Sequence, residues 1–280
     1  MPHIRRVLVV ASGKGGVGKS TVAVNLTLAM AHLGYRVGLL DADVHGPNVP
    51  LMLGVRRRAE AHGWEAILPI TSRESGSVPQ TRIPPLERFG IKVMSLGLLV
   101  GEEQVALHDN SALIGRLVAN LVTAVEWDEL DVLLIDLPPG TGEPQATLIS
   151  DVMIDGTVIV VTPQDLALLD STRAFRAFQA GNVPVLGVVE NMSYLLCPNC
   201  GGRIQIFHRS QTPRAVQSGD VPLLAEIPIE PALSEAADTG QPLVVTDPAS
   251  RKARIFIDLA TNVIDRLDLD SGGPADDDKP

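Results

Sequence analysis

Short apolar runs recur along the chain at Val7–Val10, Val37–Leu40, Ile91–Leu96, Val132–Ile135, Val158–Val161 and Val185–Val189. Each is too short for a buried helix and rich in β-branched or aliphatic residues, so each predicts a strand buried on both faces. Between them, apolar positions recur at helical spacing. This predicts helices at Lys19–Leu33, Leu113–Val125, Glu143–Ser150, Asp165–Ala180 and Ala253–Leu267. Strands alternating with helices imply an α/β protein with a mostly parallel central sheet and right-handed crossovers. Three segments break the rhythm. Residues 55 to 88, rich in Arg, Glu, Ser and Pro, read as an irregular excursion. Residues 194 to 214 form a Gly-rich loop holding a cysteine pair. Residues 268 to 280 have the acidic composition of a disordered tail. With no internal boundary, residues 1 to 267 read as one domain.

Composition sharpens this picture. Aromatics are only 3% of 280 residues, so the core must be aliphatic. The formal net charge of −10 disfavours a broad nucleic-acid surface. No apolar run reaches the roughly 18 residues of a membrane span. The chain enters its first strand directly after Met1 to Arg6, without a leader pattern, so a cytoplasmic protein is expected, with neither nucleic acid nor membrane as partner.

The strongest chemical signal is Gly13-Lys-Gly-Gly-Val-Gly-Lys-Ser20, followed by Thr21. It matches the phosphate-loop pattern G-x-x-x-x-G-K-[ST] between a strand and a helix, the context that pattern requires. The N–H groups of Gly13, Lys14, Gly15, Gly16, Val17 and Gly18 would converge on phosphate oxygens, with the helix N-terminus adding its dipole. Lys19 is expected to reach the β- and γ-phosphates and the Ser20 hydroxyl to sit on Mg²⁺, so ATP and Mg²⁺ are the expected ligands. As a surface feature, the loop should tolerate loss of Lys19 without loss of the fold. Asp41 and Asp43 follow the second strand, and Asp136 ends the strand Val132–Ile135, all at carboxyl ends where ligand sites form. We expect Asp41 in the Mg²⁺ shell, Asp43 orienting the attacking water, and Asp136 as a second metal contact through water. The Gly140 N–H would sense the γ-phosphate, and Asn191 is a candidate adenine contact. A lone acidic residue at a strand end can simply cap a turn; three around one loop argue for a joint role.

Cys197-Pro-Asn-Cys200-Gly-Gly has the form of a metal knuckle, with Pro and Gly bending the backbone so that two thiolates face one point. Zinc or an iron–sulfur cluster each needs four ligands, and the chain has two cysteines. A two-fold dimer would supply two more. A zinc knuckle completed by His208 or by the dimer, a redox dithiol and an incidental pair remain as other readings, since soft thiolates alone do not separate zinc from iron.

The phosphate loop resembles the deviant form of the MinD/ParA/nitrogenase-iron-protein class, P-loop NTPases of SIMIBI type with a three-layer sandwich. The resemblance implies that Lys14 crosses a dimer interface to the partner's phosphates, which adds Lys14 to Lys19 and Asp43 as expected catalytic residues. A closer resemblance is to the Mrp/ApbC group of iron–sulfur cluster carriers. It rests on Leu39-Leu-Asp-Ala-Asp-Val-His-Gly-Pro-Asn, Ile91-Lys-Val-Met-Ser-Leu-Gly, Asp136-Leu-Pro-Pro-Gly-Thr-Gly, Thr162-Pro-Gln-Asp-Leu-Ala-Leu, and Val189-Glu-Asn-Met-Ser-Tyr with Cys197-Pro-Asn-Cys200-Gly, in order over residues 4 to 245. It implies a homodimer bridging a [4Fe–4S] cluster through Cys197 and Cys200 of each copy, with slow ATP hydrolysis and apo iron–sulfur proteins as clients. Two segments depart from the pattern: His108-Asp-Asn-Ser, and Phe207 followed by His-Arg-Ser-Gln. The alternative function is a positioning or partition ATPase of the MinD/ParA type with a zinc knuckle; a nitrogenase-like reductase ranks last, because its cysteines lie in separate segments. A membrane-acting ATPase wants a basic amphipathic C-terminal helix. Here Ala253–Leu267 carries Asp258 and Asp265, and its apolar face is expected to pack on the sheet.

Overall fold

The computed structural model describes residues 3–43, 48–55, 83–96, 111–140, 142–164, 169–207 and 221–269. Most of the excursion after residue 55, His108, His208 and the tail from residue 270 lie outside them.

Strand β1 (Ile4–Ala11) leads through the phosphate loop into helix α1 (Lys19–His32) and back to β2 (Val37–Asp41). A short α2 (Asn48–Met52) follows, then β3 (Leu86–Arg88), β4 (Ile91–Ser95), α3 (Ser111–Ala124), β5 (Leu130–Asp136), α4 (Glu143–Asp151), β6 (Gly156–Val161), α5 (Leu169–Ala180) and β7 (Val185–Glu190). The chain then makes a hairpin of β8 (Leu195–Leu196) and β9 (Arg203–Ile204), the strand β10 (Leu223–Glu226), and α6 (Pro231–Thr239), α7 (Leu243–Thr246) and α8 (Arg251–Arg266).

Eight strands form one sheet in the order β10-β7-β6-β1-β5-β2-β4-β3. Every pairing is parallel except β3 with β4. The six predicted strands are all present and lie consecutively in the sheet. The excursion is not irregular to its end: Leu86–Arg88 closes the sheet as an antiparallel edge, with Leu86 opposite Val93. That strand and β10 are too short for periodicity to reveal them.

Alternate residues of β1 face opposite layers. Leu8 and Val10 join α1 and α8 in one core, while Val7 and Val9 join Leu117, Leu121 and Phe178 of α3 and α5 in the other. Helix α1 is buried nearly all round, from Val22 to Met30, because α8 covers its outer side. The apolar face of α8, with Phe256, Leu259, Ala260 and Val263, packs on the sheet through its edge strand β10, as expected, and also on α1. That face is occupied within the fold and is not presented to a lipid surface. Among the described residues no helix is long and apolar enough to cross a membrane.

Candidate nucleotide site and cysteine hairpin

Parallel register brings the carboxyl ends of β2, β4 and β5 level: Asp41 lies opposite Asp136 on one side and Ser95 on the other. Both aspartates are fully buried. Ser95 Oγ donates to Asp41 Oδ2 at 2.8 Å and the Asp43 N–H donates to Asp41 Oδ1 at 3.1 Å. Lys19, 6% exposed at the start of α1, places Nζ 2.5 Å from Asp136 Oδ1 and 3.4 Å from Ser20 Oγ. The other oxygen of Asp136 is buried and has no hydrogen-bond partner among the described residues.

Burial, then the neighbouring Asp136 charge, pushes the Asp41 carboxyl up to about 8. Burial also raises Asp136, against the pull of the Lys19 ammonium, while Asp43 adds a further repulsive field. Two acidic groups so close in low dielectric retain a proton unless a cation arrives. The consequence for stability has a definite sign. In the unfolded chain Asp41 ionises near 3.8, so between about pH 4 and about pH 8 the folded state holds the extra proton. The stability this contributes is complete below that window and is lost as pH rises through it. Asp41→Asn, a neutral isostere, is expected to flatten the decline in Tm of nucleotide-free protein between about pH 5 and about pH 8. Melting curves across that range check it; an unchanged slope would contradict the assignment.

The loop itself has Gly16 at φ 79° and Gly18 at φ 82°. Gly18 caps α1 and also lies against Asn191: a Cβ there would sit 2.1 Å from Asn191 Nδ2. Asn191, buried at the end of β7, donates through Nδ2 to the Val17 carbonyl at 2.8 Å. Its side-chain amide thus braces the phosphate loop, a role beyond the adenine contact expected of it. The Gly140 N–H donates to the Ser12 carbonyl at 3.1 Å. Here it is tied to the loop and not directed at a phosphate, so sensing the γ-phosphate requires exchange of that bond. Gly13 and Thr21 are part-exposed, Gly15 lies beside Pro139, and Lys14 projects at the exposed edge. Asp43 is half-buried just beyond β2.

The cysteines lie apart from this cluster, in the turn of the β8–β9 hairpin. Leu195 pairs with Ile204 and Leu196 with Arg203, leaving residues 197 to 202 as the tip. The Cys197 N–H donates to Gly202 and the Gly201 N–H returns to Cys197, with Gly201 at φ 69°. N–H groups of Cys200 and then Asn199, followed by the Cys200 thiol, hold the Cys197 thiol below the usual range. Cys200 is exposed. Among the described residues no third Cys, His, Asp or Glu joins them to make a metal site.

A family model described as the NUBPL iron-transfer P-loop NTPase of the ParA group matches residues 3–264. The chain belongs to this family. It is 42% identical over 265 residues to an iron–sulfur cluster carrier protein of Pyrococcus horikoshii, covering 93% of this chain and 86% of that one. It is 40% identical over 266 residues to the iron–sulfur cluster transfer protein NUBPL of Mus musculus, covering 94% and 78%. Among solved structures, a nucleotide-binding protein of Archaeoglobus fulgidus in complex with ADP superposes with a TM-score of 0.69 at 34% identity, over 91% of this chain and 92% of that one. The cell-division ATPase MinD of Pyrococcus furiosus gives 0.66 at 25% identity, over 93% and 99%. As a NUBPL-type P-loop NTPase the chain keeps its nucleotide loop and its cysteines on separate elements. Two residues of that arrangement were not singled out from sequence. Ser95 could have been, since it ends an apolar strand level with two aspartates. Arg203, which lies 4.2 Å over the Tyr194 ring and pairs with Glu226 at 3.2 Å, has no local sequence signal.

Proposed function

We propose that this chain is an ATP-binding carrier that holds a [4Fe–4S] cluster between two copies of itself and delivers it to apo iron–sulfur proteins, hydrolysing ATP slowly. The observation that carries this reading is the hairpin tip. It presents two thiols, one of them held below its usual pKa, and no further ligand from the described residues. Two such tips related by a two-fold axis give four thiolates, the set a cubane cluster takes. Cargo held at an exposed tip can be handed on.

The nucleotide residues fit the metal they would need. Asp136, with one buried oxygen that has no hydrogen-bond partner among the described residues, and the Ser20 hydroxyl form a donor set of hard oxygens suited to hydrated Mg²⁺. The metal would neutralise phosphate charge; Asp136 and Ser20 would hold it, with Asp41 behind. Lys19 now shares its ammonium with Asp136, and a phosphate oxygen competes for it. Asp43 orients the attacking water, and the exposed Lys14 completes charge neutralisation in the partner's site.

Lys14→Ala is expected to keep nucleotide affinity and lose hydrolysis by about 10²-fold or more, the scale of a catalytic cation supplied in trans. Adding an Asp43→Ala partner should change its turnover if residues from both chains build one site. Wild-type turnover in Lys14→Ala would remove the trans role. The carrier reading as a whole is tested by anaerobic reconstitution with iron and sulfide, then iron per chain and transfer to an apo-ferredoxin. Tightly held zinc with no transferable cluster would overturn it in favour of a partition-type ATPase.

A further inference from the structure

A groove of about 450 Å³ lies beside the cysteine hairpin, between Tyr194 and Arg203, the strand β10 and the first turns of α8. Its charges are unequal. Arg203 is matched by Glu226 at 3.2 Å. Arg251 and Arg254 stand one turn apart on α8, both exposed, and neither has an ion pair among the described residues; of the described lining residues, Asp258 is the acidic one besides Glu226. A net cationic groove thus sits on a chain of formal charge −10. Part of its lining is apolar: Leu223, 42% exposed, stands there with Ala225 and Ile255.

The groove is also close to the cargo along the chain. Arg203 pairs across the hairpin with Leu196, the residue before Cys197, and follows Cys200 by three positions. Whatever binds Arg203 touches the base of the ribbon that carries the thiols.

We propose that this groove docks the apoprotein acceptor through an acidic, partly apolar segment while the acceptor takes the cluster. The proposal rests on the carrier reading. An acidic acceptor is repelled by most of this surface, so a local cationic groove sets both where and in what orientation it approaches. A groove this small gives the weak, short-lived contact that release of an emptied carrier needs. The cluster passes intact. Each iron–thiolate bond to the carrier that breaks is replaced by one to an acceptor cysteine; the proton leaving that cysteine is taken by the departing carrier thiolate, and no electrons move.

The test uses full-length, cluster-loaded protein, an acidic apo-ferredoxin as acceptor, and the double substitution Arg251→Glu/Arg254→Glu. Both side chains are exposed, and acidic residues suit the first turn of a helix, so the fold is retained. The expected result is a rise of about tenfold in the acceptor KM, with kcat and cluster content unchanged and loss of the salt dependence shown by wild type. An unchanged KM at full cluster content would overturn the proposal. So would dissociation of the dimer in the variant, which would assign the groove to a second copy of the chain. Failure of wild type to load a cluster is a different result and would count against the carrier reading itself.

Discussion

Replacing either Cys197 or Cys200 with alanine is expected to abolish cluster loading and not to halve it. In the proposed symmetric dimer each substitution acts twice, leaving two ligands of four. Two remaining thiolates cannot hold the cluster against solvent and competing thiols. Reconstituted wild type should carry about four irons per two chains, and each variant close to none. Nucleotide binding should persist in both, because the hairpin tip contributes nothing to the phosphate loop or to the carboxylate row. Iron analysis and visible absorbance after anaerobic reconstitution check this. Variants that retain wild-type iron would remove the hairpin from the site.

Lys19→Ala should lower ATP affinity by about 10²-fold or more, since it deletes the main cation facing the phosphates. The structure adds a second effect that corrects the sequence-based expectation of an intact, indifferent fold. Lys19 is buried against Asp136. Removing it strands a buried carboxyl beside Asp41, and breaking one side of a buried pair costs about 3–5 kcal/mol. The nucleotide-free variant should therefore melt well below wild type, most of all at alkaline pH, where the orphaned carboxyls must ionise. Calorimetry together with nucleotide titration separates the two effects; wild-type Tm and affinity together would refute both.

The parallel sheet was legible because buried strands and helices differ in period, and β1, β2, β5, β6 and β7 are near-continuous aliphatic runs. Lys19, Asp41 and Asp136 were legible because each adjoins such a run. What escaped depends on partners distant in sequence. Asn191 reads as a polar residue after a strand; its grip on Val17 exists only once β7 is placed two strands from β1. Gly140 lies in a Gly-rich turn with no sign that Ser12 would take its N–H. The apolar stripe of α8 was clear and does reach the sheet's edge strand, but a stripe does not say that it also covers α1.

None of the residues from 195 to 207 belongs to the hydrophobic clusters that hold the molecule together. On the proposed carrier reading, cluster loss is therefore expected to leave the fold standing, unlike in a small zinc domain that collapses when stripped. A carrier must spend part of each cycle empty. If its core depended on the cargo, every delivery would release an unfolded chain to proteases; with the thiols on an appendage to a finished fold, the emptied protein remains intact for the next load.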